Sequence, residues 1–159
     1  MSSPSRTNPE IRCSIKLADN EIRHRARLVR DFAAVPAIRV NESQLGQVCL
    51  NLLINAAQAL PLGGSERNEI RVATGIDVRG RIFFSVTDTG PGIPAEHVGR
   101  IFDPFFTTKP IGVGTGIGLS VCMSIVQSMG GELTVASEPG HTIFTVSLPV
   151  EPSPLQQAA

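Results

Sequence analysis

Three amide side chains, Gln47, Asn51 and Asn55, recur every four residues in the stretch Gln47-Val-Cys-Leu-Asn51-Leu-Leu-Ile-Asn55-Ala-Ala. On a helix that spacing places all three on one stripe. An apolar stripe runs beside it, so the amides line a boundary between core and cavity. Neutral amide oxygens are hard ligands of the kind Mg²⁺ accepts alongside retained waters. For Asn51 and Asn55 taken alone, the plainer reading, ordinary polar residues on a helix shoulder, is the better one.

A carboxylate stands in a second constellation, Asp88-Thr-Gly90-Pro-Gly92-Ile93. Alternation places Asp88 on the face of Ile82, Phe84 and Val86, which should point inward. A carboxylate there is costly unless it meets a donor. The exocyclic amine of adenine would serve, and two glycines would let a flat ring approach the backbone. Alternatively, Asp88 simply caps a turn. Asp-Thr-Gly also occurs in aspartic proteases, but those need a second copy or a symmetric dimer and an all-β fold, which the helical patterns here oppose.

Two further stretches follow. Gly112-Val-Gly114-Thr115-Gly116-Ile-Gly118-Leu119-Ser120 leads into a helix. Glycines let a backbone fold over phosphates, and the free N–H groups of a helix start favour anions. The stretch lacks the Gly-Lys-Ser/Thr ending of a P-loop and does not directly follow a strand. Phe102-Asp-Pro-Phe105-Phe106-Thr-Thr-Lys109 offers rings that could anchor a loop and a cation that could reach a terminal phosphate. The bland alternative is core phenylalanines and a solvated lysine.

The bulk properties leave room for such a site and close off others. At 159 residues with 42% apolar content, the chain suits one globular domain. A formal net charge of zero gives no support for a general nucleic-acid or membrane-surface role. The absence of Trp and Tyr argues against base-stacking platforms. Cys13, Cys49 and Cys122 fit neither a metal spacing nor a disulfide framework, so a reducing cytoplasm is expected. Residues 1–9 have no apolar core of a signal peptide. Beyond Arg81 the only basic residues are Arg100 and Lys109, so a phosphate site there would need a metal and backbone donors.

The elements that must position these groups can be read in outline. Residues 1–17 read as a flexible lead-in, 18–150 as the folded domain and 151–159 as a disordered tail. Alternation over 22–30 predicts a strand, with Ile22, His24, Ala26 and Leu28 on one face and arginines on the other. Residues 37–40 could add a short strand after Pro36. A helix capped by Asn41 carries the stripe Leu45, Val48, Leu52, Ala56 and Ala59, and stops before Pro61. Strands at 69–78 and 81–88 meet at a tight turn, and Pro94 begins a short helix ending near Phe102. A helix over 116–129 ends at Gly130-Gly131, and strands at 132–137 and 142–148 form a final hairpin. Together they predict a two-layer α/β sandwich, with a mixed, mostly antiparallel sheet of about five strands covered on one face by three helices.

In order and spacing, these stretches closely resemble the catalytic ATP-binding (Bergerat-fold) domain of bacterial sensor histidine kinases, within the wider group of gyrase-like ATPases. The resemblance covers residues 22–149. Asn51-Leu-Leu-Ile-Asn55-Ala is similar to the N box, Asp88-Thr-Gly-Pro-Gly-Ile to the G1 box, Phe102-Asp-Pro-Phe-Phe-Thr-Thr-Lys to the F box, and Gly114-Thr-Gly-Ile-Gly-Leu to the G2 box. Thr-Thr-Lys and Asn-Ala-Ala-Gln-Ala resemble the nitrogen-regulation type.

The resemblance implies ATP and Mg²⁺ as ligands. Asn55 would hold the metal and Asn51 would help position phosphates. Asp88 would read the adenine amine, with Gly90, Gly92 and Ile93 shaping that side. Gly114, Thr115, Gly116, Gly118 and Leu119 would offer backbone N–H groups to the phosphates, and Lys109 would touch the γ-phosphate. Thr142, inward with Phe144, resembles the threonine beside the adenine pocket. Gyrase-like relatives carry a water-activating Glu where this chain has Asn51; an amide cannot be that base, which favours transfer over hydrolysis.

Nothing here resembles the phosphoacceptor H box, so the acceptor histidine would lie on a separate dimerisation domain, with a response regulator as indirect partner. His24 reads as a core residue, His97 as solvated on the short helix, and His141 as part of the last turn. Gln58 stands where many relatives have a basic residue. The implied function is a histidine kinase catalytic module. An anti-sigma-factor type serine kinase and a non-catalytic nucleotide-gated module are the alternatives.

Overall fold

The computed structural model describes residues 7–36, 40–106 and 118–150. Five strands form one sheet in the order β1-β2-β3-β5-β4: β1 (Arg27–Phe32), β2 (Glu69–Ile76), β3 (Ile82–Asp88), β4 (Glu132–Glu138) and β5 (His141–Leu148). Only β1 and β2 run parallel; the other pairs are antiparallel. Helices α1 (Thr7–Ile22), α2 (Glu42–Gln58) and α4 (Gly118–Ser128) form the second layer, and α3 (Ala95–Val98) is a single turn. The expected two-layer α/β sandwich with its mixed sheet is present.

Register sorts the sheet into rows. Val72, Val86, Phe144 and Val135 form one row of the inner face. Thr74, Phe84, Val146 and Leu133 form the next. Most of these side chains are buried, together with Leu45, Val48, Leu52, Leu53 and Ala56 of α2. Period two on the strands and near 3.6 on α2 thus meet in one core. Asn41 caps α2 as expected, accepting from the Gln44 N–H at 3.0 Å.

The N-terminal reading needs correction. Residues 7–17, expected as a flexible lead-in, lie within α1. Ile11, Ile15, Ala18 and Ile22 recur at helical spacing, are almost completely buried and pack α1 on α2. Ser14 ties the pair further by donating to the Gly46 carbonyl at 3.0 Å. Residues 22–26, expected in a strand, instead end α1 and turn, and β1 begins only at Arg27. His24 is exposed and not a core residue. Its carbonyl accepts from the Gly63 N–H at 2.8 Å. Arg25 caps the carboxyl end of α2 by donating to the Leu60 carbonyl at 2.8 Å and the Ala57 carbonyl at 3.4 Å. The candidate strand at 37–40 falls mostly outside the described residues, and so does the start of the helix expected from 116. The α3 helix stops well short of Phe102, the chain continuing there in turns.

Candidate functional site

The end row of the inner sheet face differs from the others. It runs Ile70, Asp88, Thr142, Ser137 across β2, β3, β5 and β4. A carboxylate and two hydroxyls stand where the neighbouring rows carry mostly apolar side chains. Asp88 and Thr142 are buried. Burial raises the Asp88 carboxyl above its usual range, partly offset by the Gly90 N–H and by the His141 charge. The Gly90 N–H donates to Asp88 Oδ1 at 2.9 Å, which holds the carboxylate in place.

Backbone contacts fix the segment after Asp88 on four sides. Thr89 Oγ1 donates to Asn68 Oδ1 and accepts from the Glu69 N–H, both at 3.0 Å, which pins it to the start of β2. At Gly90 a Cβ would come within 3.1 Å of the Ala59 carbonyl and 2.9 Å of Asp88 Oδ1. The close approach of this turn to the end of α2 therefore needs glycine. The Gly90 carbonyl accepts from the Gly140 N–H at 2.9 Å. Gly92 has a φ of 89°, and a Cβ there would meet the Glu138 carbonyl at 2.7 Å. The Ile93 N–H donates to Ser137 Oγ at 2.8 Å. The turn is thus seated closely against the end of α2 and the β4–β5 turn, with glycine where those backbones approach.

On α2, Asn51 and Asn55 are half-buried whereas Gln47 is exposed, so the expected stripe is graded rather than uniform. Asn51 faces Cys122 of α4: its amide partly offsets the burial that pushes the Cys122 thiol up to about 11. Cys122 also donates to the Val48 carbonyl across 3.9 Å. These contacts join α4 to α2; Gly118, exposed, and Leu119, half-buried, are the first described residues of α4. N–H groups at the start of a helix suit anions in general. Lys109, Gly114, Thr115 and Gly116 lie outside the described residues. Among the described residues no cluster of three His, Cys, Asp or Glu could hold a metal. A divalent ion here would need the Asn55 amide, water and oxygens of a ligand, which is how Mg²⁺ is commonly bound.

Phe102, Phe105 and Phe106 divide. Phe102 packs edge-on against Phe144, with ring centroids 6.3 Å apart. Phe106 lies between His97, 5.4 Å away and edge-on, and the Arg100 guanidinium, 4.6 Å from its centroid. His97, expected to be solvated, is half-buried by this contact. Phe105 is 73% exposed, with a φ of 68°. Two rings anchor the segment and one does not.

Sequence reading missed Ser137, Thr89 and Cys122 as parts of the site. Ser137 could have been found by carrying the period of Leu133 and Val135 one step further, to the residue paired with Thr142.

A buried carboxylate followed by a glycine turn that abuts the end of the amide-bearing helix suits a nucleotide-binding α/β sandwich. Comparison with known proteins specifies it. Residues 40–152 match the family described as histidine kinase-, DNA gyrase B-, and HSP90-like ATPase, and the chain belongs to that family. The chain is 35% identical over 143 residues to the sensory histidine kinase/phosphatase NtrB of Klebsiella oxytoca, covering 86% of this chain and 40% of that protein. It is 38% identical over 146 residues to the sensor histidine kinase ZraS of Escherichia coli, covering 90% of this chain and 30% of that one. It therefore spans well under half the length of these curated relatives. The solved catalytic domain of the histidine kinase ThkA superposes with a TM-score of 0.78 at 28% identity, covering 96% of this chain and 99% of that domain. Within the family, the chain is of the sensor histidine kinase catalytic-domain type.

Proposed function

We propose that this chain binds Mg-ATP and transfers the γ-phosphoryl group to a histidine on a dimerisation domain outside this sequence. A response regulator would take the group onward. The observation that carries the reading is the buried Asp88 carboxylate, held by the Gly90 N–H in a row with the hydroxyls of Thr142 and Ser137. A buried carboxylate with raised proton affinity needs a donor, and the adenine amine is one. Gly90, Gly92 and Ile93 give the base a flat backbone wall. Thr142 adds a hydroxyl beside Asp88.

On the phosphate side, Gly118 and Leu119 are the first described residues of α4, and N–H groups at a helix start suit anions. Gly114, Thr115, Gly116 and Lys109 extend that cradle in our reading. Asn51 orients phosphates, and Asn55 holds the metal. Mg²⁺, when bound, would neutralise charge on the phosphates. The bond from the γ-phosphorus to the bridging oxygen breaks, and a bond from phosphorus to an imidazole nitrogen forms, leaving ADP. The protein's part is placement and charge balance. Asn51 cannot deprotonate water, so transfer is favoured over hydrolysis. The free, buried Cys49 and Cys122 suit the reducing cytoplasm where ATP is abundant.

The test mixes this chain with γ-labelled ATP and a separately produced dimerisation domain from a similar sensor kinase. Acid-labile, alkali-stable label on the acceptor histidine is the expected result. Acid-stable label on serine, or no nucleotide binding at all, would overturn the reading.

A further inference from the structure

Ser137 belongs to none of the four sequence boxes, yet its hydroxyl joins two parts of the site. It accepts from the Ile93 N–H at 2.8 Å and lies 2.7 Å from Thr142 Oγ1. Ser137 and Thr142 are register partners across β4 and β5, and Thr142 is the register partner of Asp88 across β3 and β5. A hydroxyl has one proton to give and two lone pairs. Ile93 takes one lone pair of Ser137, so two arrangements remain with Thr142.

If Thr142 donates to Ser137, Ser137 accepts twice and Thr142 keeps only lone pairs for the Asp88 side. If Ser137 donates, all donors run one way, from the Ile93 N–H through Ser137 to Thr142. The Thr142 O–H is then left for the Asp88 side. Donors aligned head to tail polarise one another, which favours the second arrangement.

We propose that Ser137 is a specificity-determining positioning residue that makes Thr142 a donor beside the acceptor supplied by Asp88. The proposal rests on the ATP reading above. An acceptor next to a donor complements the edge of a 6-aminopurine, whose amine donates and whose ring N1 accepts. A 6-oxopurine reverses both, so each of its groups would meet a like partner. Ser137 thereby acts on the base through Thr142, without touching it. Its bond to Ile93 keeps the hydroxyl from turning away.

The test measures calorimetric affinity of the chain for ATP and for 1-deaza-ATP, in which a C–H replaces N1. Loss of one hydrogen bond should make Ser137→Ala bind ATP about fivefold to tenfold more weakly. The same substitution should change 1-deaza-ATP affinity by less than about twofold, because the group it serves is gone. Ser137→Thr, which keeps a hydroxyl, should restore ATP affinity. Equal losses for both ligands, or no loss with ATP, would overturn this role and leave the ATP site standing. Failure of the unsubstituted chain to bind either ligand would overturn the nucleotide reading and this role with it. If Ser137→Ala does not fold, Ser137→Cys, a weaker donor, carries the same comparison.

Discussion

Asp88 and Thr142 are register partners across β3 and β5, and only 2% and 3% of their surfaces are exposed. Neighbouring rows of the same face are mostly apolar, so this pair places polar groups where the sheet otherwise packs hydrocarbon. A carboxylate kept in such a place costs stability, and a ligand donor would recover that cost.

Asp88→Asn should therefore separate binding from stability. Replacing the charged acceptor of a hydrogen bond worth about 1.5–3 kcal/mol should weaken ATP binding roughly tenfold to a hundredfold. Thermal stability without nucleotide should rise at neutral pH. The sign follows from linkage: burial raises the folded-state pKa above the ordinary carboxylate value. Between those two values the folded state holds more protons, so stability falls as pH rises through the folded pKa. The variant has no such loss. Melting curves over pH 4–8, an ordinary range for a carboxylate titration, would check this. A less stable variant at neutral pH would contradict it.

Gly92→Ala should damage the fold as well as the site. Its φ of 89° is strained for any residue with a Cβ, and that Cβ would press on the Glu138 carbonyl at 2.7 Å. A stability loss of about 1–3 kcal/mol is expected in denaturant titration. Gly90→Ala meets the Ala59 carbonyl at 3.1 Å in ordinary backbone territory, so it should cost less stability than Gly92→Ala. Nucleotide binding should fall in both, because the turn must shift.

The two sides of the site were not equally legible in the sequence. Asp88 could be placed because strand alternation of Ile82, Phe84 and Val86 carries straight to it, and β3 is regular to its end. Asn51 and Asn55 could be placed because α2 is long and well capped. The N-terminal helix could not, although Ile11, Ile15, Ala18 and Ile22 have helical spacing. The alternation Ile22, His24, Ala26, Leu28 competes with that pattern, and packing on α2 decides between them. Ser137 escaped because a lone serine at a strand end has no signature; its partners Ile93 and Thr142 come together only through the sheet and the turn.

Arg25 offers a test of how firmly the end of α2 must be held. Its guanidinium donates to the Leu60 and Ala57 carbonyls, and nearby the Ala59 carbonyl abuts the Gly90 turn. Arg25→Ala leaves terminal carbonyls of α2 without this cap, so a loss of about 1–3 kcal/mol is expected in urea unfolding. ATP affinity should fall by a smaller factor than in Asp88→Asn, because the base acceptor itself remains. An unfolding midpoint equal to that of the unsubstituted chain would show that the cap is dispensable.

Asn55→Ala tests the metal assignment apart from the base. Asn55 is half-buried on α2, whereas Asp88 and Thr142 stand on the sheet, so its removal leaves the acceptor for the adenine amine intact. Affinity for ATP with Mg²⁺ present should fall toward the value measured in EDTA, while the EDTA value itself changes little. The ratio of the two affinities is the informative quantity, since a general loss of fold would lower both together. An unchanged ratio in the variant would move the metal to another ligand and leave Asn55 with a role in helix packing alone.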